Sequence, residues 1–467
     1  MSQFDDQPPQ VPTTATVTSP LNIFQYLARQ WDRVHPYNAA QVVEIVGVAN
    51  VDQLNDTWLD VLRTLQLGRV RIDSKRGKFG FEGPGNEAAD LAVRTVPPTV
   101  NLQDFLSAEL NRPFDETAAE PPFRAFVQQG VGSYFLGIVY QHWTADSVSV
   151  QMLLREWFYR LYDPTRAQRR PARVQRTGFW GMYGPRHAKW RLDENLFALA
   201  RRYFRYRKVR KVDSTGLDQP AVRFKRFRTP AGLIDRLCAA AHASGVKVHD
   251  LLVAAMIEAC AEHVPARLQE SRRDIAVGSI IDLRPLSRPE SIAEFGVYLG
   301  FTGTIVHEND LNHWPSLLKS VASQSRHYKQ LGIPQTSLAW MLAARLISQY
   351  VPKEKLWRFY RKEMPLSGGL SNVNLNHTWA ADYAPKLIRD YIRCSPTGPV
   401  APLVVATSTF GEALSIGVTY RVSLISDELV DQFIESFQAR LSHVASRAVA
   451  GASLINTSSV GPSIVRA

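Results

Sequence analysis

The sequence YQHWTADSVSV occupies positions 140–150 and places His142 at the end of an apolar run, with Asp146 four residues later. By chance alone, a chain of this composition is expected to contain roughly half of one His-x-x-x-Asp match, so the spacing by itself is a weak signal. The residues YFLGIVYQH, which end on His142, form a short apolar run typical of a strand, and the following residues VSVQMLLREWFYRLY show helical spacing. Both polar side chains are therefore predicted to lie on a strand-to-helix connection, where they can be directed into a cleft.

The composition of the chain is that of a folded protein. Its 467 residues are 45% hydrophobic and 21% charged, which is close to the average for globular domains, and the length suggests two lobes of roughly 150 to 220 residues each. The start is polar and has no signal-peptide pattern, and no apolar stretch is long enough to span a bilayer. The three cysteines lack CxxC spacing, which predicts neither disulfides nor a zinc site and favours a reducing cytoplasm.

Strands and helices alternate along the chain without the regularity of a doubly wound sheet, which predicts an α+β protein. RVRIDSKRGKFGFEG reads as one hairpin and LVVATSTFGEALSIGVTYR as another that turns at Gly411. We expect a flexible tail over 1–20, an N-terminal lobe with the His-x-x-x-Asp motif over 21–175, a basic connection with a helix at LFALARRYFRYRKVRK over 176–220, and a C-terminal lobe over 221–467.

Four further segments follow one another in a recognisable order: PFDETAAEPPFRAFV, VKVHDLLVAAMIEAC, SIIDLRPLSRPESIAEFGVYLGF and SGGLSNVNL. Together with the histidine motif they make the chain resemble the superfamily that includes chloramphenicol acetyltransferase, the condensation domains of nonribosomal peptide synthetases, the plant BAHD acyltransferases and the bacterial wax ester synthases. The resemblance implies two chloramphenicol acetyltransferase-like lobes, with mixed sheets flanked by helices, that meet at a central cleft or tunnel.

The motif departs from that family at two positions. The family often has HHxxxDG, in which the second histidine is catalytic, whereas this chain has Gln141 before His142 and Ser147 after Asp146. Many active members have only the second histidine, so Gln141 is a mild change. Glycine eases a tight turn, so we expect Ser147 to enter that turn at some conformational cost.

The resemblance implies that His142 is a general base and that Asp146 is structural, held by an arginine that corresponds by position to Arg284. A neutral imidazole suits proton removal near neutral pH. Read from the residues alone, His142 is as consistent with a side chain satisfied by backbone at a strand end, and Arg284 with a solvated arginine. Asp146 also has the position of a helix N-cap.

Three further residues are candidates for substrate binding. Ser371 and Asn372, in the late SN segment, are the candidate donors to the oxyanion that develops during acyl transfer. Trp143, beside the base, is a candidate wall of the acceptor site, although core packing is an equally good interpretation of a buried tryptophan. We expect no tightly bound cofactor and no metal.

The positive charge of the chain is concentrated in one segment. Between Arg166 and Lys211 there are 15 Lys and Arg against two acidic residues. Three interpretations stay open: a solvated face, recruitment of the phosphates of coenzyme A or of an acidic acyl carrier protein, and binding to a membrane surface. The chain shows no recognised nucleic-acid motif. The candidate recruitment residues are Arg201, Arg202, Arg205, Arg207 and Lys208.

The function implied by the resemblance is that of a stand-alone, monomeric acyltransferase of secondary metabolite biosynthesis. It would move an acyl group from acyl coenzyme A, or from a phosphopantetheinyl acyl carrier protein, to a hydroxyl or amine of a small acceptor. One alternative is a catalytically silent, condensation-like binding module. A second alternative is a peripheral membrane enzyme that acylates lipids or long-chain alcohols.

Overall fold

The computed structural model describes residues 19–84, 92–115, 121–176, 178, 200–212, 221–267, 269–330, 333–363 and 365–457. The strands are β1 (19–20), β2 (38–46), β3 (69–73), β4 (78–82), β5 (94–96), β6 (123–129), β7 (133–141), β8 (211–212), β9 (222–228), β10 (266–267), β11 (275–282), β12 (299–306), β13 (368–374), β14 (388–394), β15 (403–410) and β16 (413–421). The helices are α1 (23–32), α2 (51–65), α3 (102–111), α4 (147–162), α5 (233–243), α6 (248–263), α7 (314–330), α8 (333–348), α9 (356–363) and α10 (427–457).

The first large sheet has the strand order β14, β2, β7, β6, β5, and every neighbouring pair is antiparallel except β5 and β6. Its central strands β2 and β7 pair over their whole length, from Asn38 opposite Gln141 to Val46 opposite Ser133. Helices α1, α2 and α4 contribute to the apolar core on one face of this sheet. The connection that carries His142 therefore leaves the end of a central, firmly paired strand.

The second large sheet has the order β12, β11, β13, β15, β16, β9, with parallel pairs only at β11 with β13 and at β13 with β15. The predicted hairpin is confirmed, since β15 and β16 are joined at Gly411, which has a φ of 59° that glycine adopts without strain. Helix α6 packs between α10 and β11, and every residue from Leu251 to Cys260 is buried. This half thus has a core of its own.

Strand β14 joins the two halves. It comes from the C-terminal half of the sequence but pairs with β2 at the edge of the first sheet, and it also packs against β15 and β16. Gly417 permits this close approach, because a Cβ at that position would lie 2.3 Å from the carbonyl oxygen of Arg393. The range 221–467 therefore contributes a strand to the sheet of the N-terminal lobe.

The structure describes parts of two predicted segments, the N-terminal tail and the basic helix. Ser19 and Pro20, which the sequence placed in the flexible tail, instead form β1 and pair with β4 beside the predicted hairpin of β3 and β4. Pairing with β4 satisfies backbone groups of these two residues and holds them in the sheet. Of the predicted basic helix, residues 200–206 are helical, whereas 177, 179–199 and 213–220 lie outside the described residues.

Candidate active site

A cavity of about 540 Å³ lies between the two large sheets. Residues from both halves line it, including His142 and Ser147 from the N-terminal half and Ser371, Asn372 and Arg393 from the C-terminal half. Most of the remaining wall is apolar, with contributions from Phe24, Leu27, Leu299, Phe301, Trp340, Met341 and Leu370. A concave, mainly apolar cavity with a few converging polar groups is the usual form of a small-molecule site.

His142 is fixed at the wall of this cavity by its own backbone and by aromatic neighbours. Its backbone N–H donates to the carbonyl of Tyr37 at 3.1 Å, and its ring stacks on Tyr37 with 5.5 Å between centroids. Its Nδ1 lies 3.0 Å from the carbonyl oxygen of Ala145. A carbonyl only accepts, so Nδ1 must carry the proton. Nε2 is consequently the unprotonated, basic nitrogen of the neutral ring.

The surroundings of His142 keep it neutral. Burial lowers its pKa below the ordinary 6.5, and the positive charge of Arg393 acts in the same direction. The hydrogen bond to Ala145 and the charge of Asp146 oppose this shift without reversing it. At neutral pH the ring is therefore uncharged and able to accept a proton.

Asp146 is an ion-paired structural residue. Its carboxylate oxygens lie 2.5 Å from Nη1 and 3.0 Å from Nη2 of Arg284, and they also accept from the backbone N–H groups of Ser149 and Tyr298. Burial alone would raise the pKa of Asp146, but the charge and hydrogen bonds of Arg284 outweigh burial and lower it. With all these donors in place, Asp146 stays ionised and caps α4 at the same time.

Arg284 lies in the C-terminal half, so its ion pair with Asp146 links the two halves of the molecule. It follows β11 at the start of a 3₁₀ turn, and its side chain is only 2% exposed. Nη2 also donates to the hydroxyl of Ser149 at 2.9 Å and to the carbonyl of Gly296 at 3.4 Å. The turn that holds His142 is thus tied to the connection between β11 and β12.

The expected conformational cost at Ser147 is absent. Among the described residues, Gln66 is the only non-glycine residue with a positive φ, and Ser147 is simply the first residue of α4. Helical backbone suits serine as well as glycine, so the turn does not require glycine. The hydroxyl of Ser147 instead lines the cavity, where it accepts hydrogen bonds from Gln41 Nε2 at 3.0 Å and Arg393 Nε at 3.2 Å.

Trp143 does not line the cavity, so its prediction as a wall of the acceptor site is wrong. Its side chain is 1% exposed within the core of the N-terminal half, where it contacts Phe79 edge to face and the guanidinium of Arg29. A large apolar ring is stabilised by complete burial and by edge-to-face contact with another ring. The alternative interpretation of core packing is the correct one.

Ser371 and Asn372 both line the cavity, on strand β13. The hydroxyl of Ser371 accepts from Nη2 of Arg393 at 2.8 Å. The side-chain oxygen of Asn372 accepts from the hydroxyl of Thr407 at 2.8 Å, which leaves the amide N–H groups of Asn372 available as donors.

Arg393 is the residue of this site that sequence reasoning missed. It lies on β14 and is 4% exposed, and besides Ser147 and Ser371 it donates to the carbonyl of Thr407 at 3.3 Å. The surrounding sequence IRDYIRC carries three charges, which is typical of a solvated segment. The only available signal was the apolar residues beside those charges, Ile388, Tyr391 and Ile392.

The basic segment contains buried, half-buried and exposed cations, and the prediction of partner recruitment is wrong for Arg202. Arg202 is 9% exposed, donates to the carbonyl of Gly303 at 3.3 Å and stacks over the ring of Tyr328. Its alkyl stem and guanidinium plane suit burial among tyrosines. Arg205 is half-buried and donates to the carbonyl of Ile305 at 2.8 Å. Arg201, Arg207 and Lys208 are exposed.

The described part of the chain contains no cluster of three or more His, Cys, Asp or Glu side chains placed to hold a metal ion. None of the helices in the described ranges has the length and apolar character needed to cross a bilayer.

No family model and no curated protein matches the sequence. Solved structures, by contrast, match over nearly the whole chain. The first condensation domain of the calcium-dependent antibiotic synthetase, in complex with a substrate analogue, is 14% identical with a TM-score of 0.66, over 93% of this chain and 96% of that one. The condensation domain of monacolin K polyketide synthase is 13% identical with a TM-score of 0.64, over 93% and 98%. Polyketide synthase associated protein 5 from Mycobacterium tuberculosis is 14% identical with a TM-score of 0.61, over 93% and 100%.

The chain therefore has the two-lobed α+β fold of the condensation domains. This confirms the fold that the sequence resemblance implied. Identities of 13 to 14% establish that likeness at the level of the fold. What the chain does with the fold has to be argued from its own cavity and side chains.

Proposed function

We propose that this protein is an acyltransferase that moves an acyl group from a thioester to a hydroxyl or amine acceptor. The observation that carries the proposal is the state of His142. Its Nδ1 donates to the Ala145 carbonyl, so Nε2 is the basic nitrogen of the ring, and the residue lines the cavity. Thioester acyl transfer requires one base at the reacting carbonyl and no redox partner.

The reaction that this geometry supports is a direct displacement. The acceptor hydroxyl or amine gives its proton to Nε2 of His142 while its heteroatom attacks the thioester carbonyl carbon. The resulting oxyanion is stabilised by the amide N–H groups of Asn372. Collapse of this intermediate breaks the carbon–sulfur bond, and the leaving thiolate takes the proton back from Nε2. The products are the ester or amide and the free thiol.

Asp146 has no direct part in proton transfer in this mechanism. Its two oxygens are held by Arg284 and by backbone N–H groups, and its pKa is lowered, so it neither takes nor supplies a proton near neutral pH. Its contribution is to hold the start of α4, and thus the turn that positions His142.

The donor would be either acyl coenzyme A or an acyl chain on the phosphopantetheine arm of a carrier protein. Tyr203 lines the cavity and stacks on Trp340 with 5.9 Å between ring centroids, and it belongs to the same helical segment as the exposed Arg201, Arg207 and Lys208. Positive charge beside the cavity mouth favours an approaching phosphate or acidic protein.

Transfer can be tested with a panel of acyl coenzyme A and acyl N-acetylcysteamine thioesters, by following thiol release and identifying acylated acceptors by mass spectrometry. Blanks without donor are needed, because Cys238 is an exposed thiol. We expect His142→Ala to lower turnover by about 10² to 10⁴, the usual contribution of a general base. The matched control is His377→Ala, since His377 is exposed and does not line the cavity.

The proposal fails if purified His142→Ala retains wild-type turnover with the best donor. It also fails if no thioester in the panel is consumed by a wild-type protein that binds it, because that result favours the catalytically silent binding module.

A specific observation favours a second candidate, the peripheral enzyme that acylates lipids or long-chain alcohols. At the end of α8, Leu346, Ile347 and Tyr350 are 52%, 55% and 84% exposed, and Ile347 also lines the cavity. An exposed apolar group at the mouth of an apolar cavity can contact a lipid surface. Vesicle binding that is lost in Ile347→Ser together with Tyr350→Ser would support this candidate.

A further inference from the structure

Arg393 is a buried cation that contacts only neutral groups within the described residues. Its Nε donates to the Ser147 hydroxyl at 3.2 Å, and its Nη2 donates to the Ser371 hydroxyl at 2.8 Å. Its Nη1 donates to the carbonyls of Thr407 at 3.3 Å and Ser371 at 3.5 Å. These contacts satisfy hydrogen bonds but leave the positive charge without a counter-charge.

Among the described residues no carboxylate forms an ion pair with Arg393, and the nearby ionised Asp146 is already paired with Arg284. The groups that act electrostatically on Arg393 are Tyr140, Tyr391 and Cys394, and burial raises the pKa of each of them above its ordinary value. All three are therefore neutral at physiological pH, whereas an arginine stays protonated. Buried charges in proteins are normally paired, and an unpaired one beside a cavity is a place for a ligand charge.

Two hydroxyl groups beside Arg393 have their protons free for a ligand. A hydroxyl has one proton and two lone pairs. Ser147 Oγ accepts from Arg393 Nε, from Gln41 Nε2 and, at 3.5 Å, from Gln151 Nε2, and Ser371 Oγ accepts from Arg393 Nη2. Neither hydroxyl donates to any described residue, and both residues line the cavity. The guanidinium and two available O–H donors together form the donor set that a carboxylate requires.

We propose that Arg393, Ser147 and Ser371 form a site for a carboxylate carried by the substrate, so that this enzyme acts on an anionic, otherwise apolar molecule. This inference rests on the proposed function only in that the bound molecule is taken to be a substrate. The anion site itself follows from the contacts of Arg393. The rest of the cavity wall is mainly apolar, which suits an aliphatic or aromatic body attached to the carboxylate. Serine in place of glycine at position 147 supplies one of the two hydroxyls.

The binding test compares octanoate with octanamide, which have the same length and shape but differ in charge. Calorimetry on the full chain should show octanoate bound at least about tenfold more tightly, which corresponds to about 1.4 kcal/mol. Arg393→Met should abolish this preference, and Ser147→Gly should reduce it several-fold. Arg236→Met is the matched control, because it removes an exposed cation that does not line the cavity and has no proposed role in binding, and it should keep the full preference.

The inference is overturned if the wild-type protein binds the two probes equally, or if Arg393→Met keeps the preference while its unfolding transition matches that of the wild type. Should Arg393→Met not fold, Arg393→Lys answers the same question, since it keeps the charge but loses the planar fork that reaches both hydroxyls. It should keep a weakened preference for octanoate, and an unchanged preference would contradict the site.

Two further arms separate this inference from the proposed function and locate the carboxylate. The same preference should persist in His142→Ala, which lacks the base, so an anion site without acyl transfer would overturn only the proposed function. With the wild type, glutaryl and pentanoyl coenzyme A are compared as donors. A higher kcat/KM for glutaryl, lost in Arg393→Met, places the carboxylate on the acyl group, whereas equal values with competition by octanoate against the acceptor place it on the acceptor.

Discussion

Arg284 and Arg393 are two buried arginines that contact adjacent residues of the turn after His142, Asp146 and Ser147, and their partners differ. They are 2% and 4% exposed. Arg284 has the carboxylate of Asp146 at 2.5 and 3.0 Å, whereas Arg393 has only hydroxyls and carbonyls. Removing a cation from water costs several kcal/mol, which an ion pair offsets and neutral dipoles offset only in part.

The positions of the two arginines agree with this difference. Arg284 does not line the cavity, and its charge is used entirely within the protein, to fix the turn that carries His142. Arg393 lines the cavity directly. A buried cation that is ion-paired within the protein stabilises the fold. A buried cation that lines a cavity and has no counter-charge is available to a ligand. Burial alone therefore does not distinguish a structural arginine from one that is available to bind a ligand.

The largest effect on stability is expected at the paired arginine. Arg284→Met and Asp146→Asn should each lower the free energy of unfolding by about 3 to 5 kcal/mol, because each leaves an uncompensated buried group. A double-mutant cycle measured by urea unfolding should show a coupling on the order of 1 to 3 kcal/mol. Additive effects would show that the pair is not one structural unit.

Arg393→Met is the matched partner of that experiment and should change the free energy of unfolding by only about 1 kcal/mol. The hydrogen bonds that it loses, each with a net value of about 1 kcal/mol, are offset because a buried charge without a counter-charge is removed. An Arg393→Met variant as unstable as Arg284→Met would remove the distinction between the two arginines.

The elements around His142 could be predicted from sequence because their patterns are local. Strand β7 follows from its short apolar run and helix α4 from its helical spacing, and the hairpin of β15 and β16 follows from its turn at Gly411. The motif order identified the fold, and the arginine of the DLRP segment, Arg284, lies against Asp146. These features depend on residues that are near in sequence or on a resemblance that spans the chain.

The cluster of Arg393, Ser147 and Ser371 could not be predicted, because it depends on where a strand is inserted. Asp390 and Arg393 give β14 the composition of a surface segment, but the strand lies at the seam between the two large sheets. Its neighbours there include Ser147 and Ser371, which are distant in sequence. Arg202 shows the same error, since a basic run suggests a solvated face whereas aromatic neighbours bury this member of it.

The smallest effect is expected from the exposed cations, whose charge is shared with solvent. Replacing Arg201, Arg207 and Lys208 together by Gln should raise the donor KM several-fold at low salt and leave kcat nearly unchanged. The effect should shrink with added salt, since charges more than about 8 Å apart are largely screened at physiological ionic strength.

The matched control for that variant replaces Lys75, Arg76 and Lys78, three exposed cations on the hairpin of β3 and β4 that do not line the cavity, and it should leave the donor KM unchanged. Loss of binding to anionic vesicles with unaltered donor kinetics would assign the three cations to a membrane surface. No response in either assay would leave them as a solvated face.

The central claim is that His142 is a neutral base with Nε2 available, and ¹⁵N NMR of the histidine rings tests it without any substrate. The His142 signals, assigned by their loss in His142→Ala, should show a protonated Nδ1 and an unprotonated Nε2 at neutral pH. Because the folded-state pKa is lowered, the ring should take up its second proton only below the ordinary pH of about 6.5. A ring that is protonated on Nε2 at neutral pH, or charged above that value, would contradict the account.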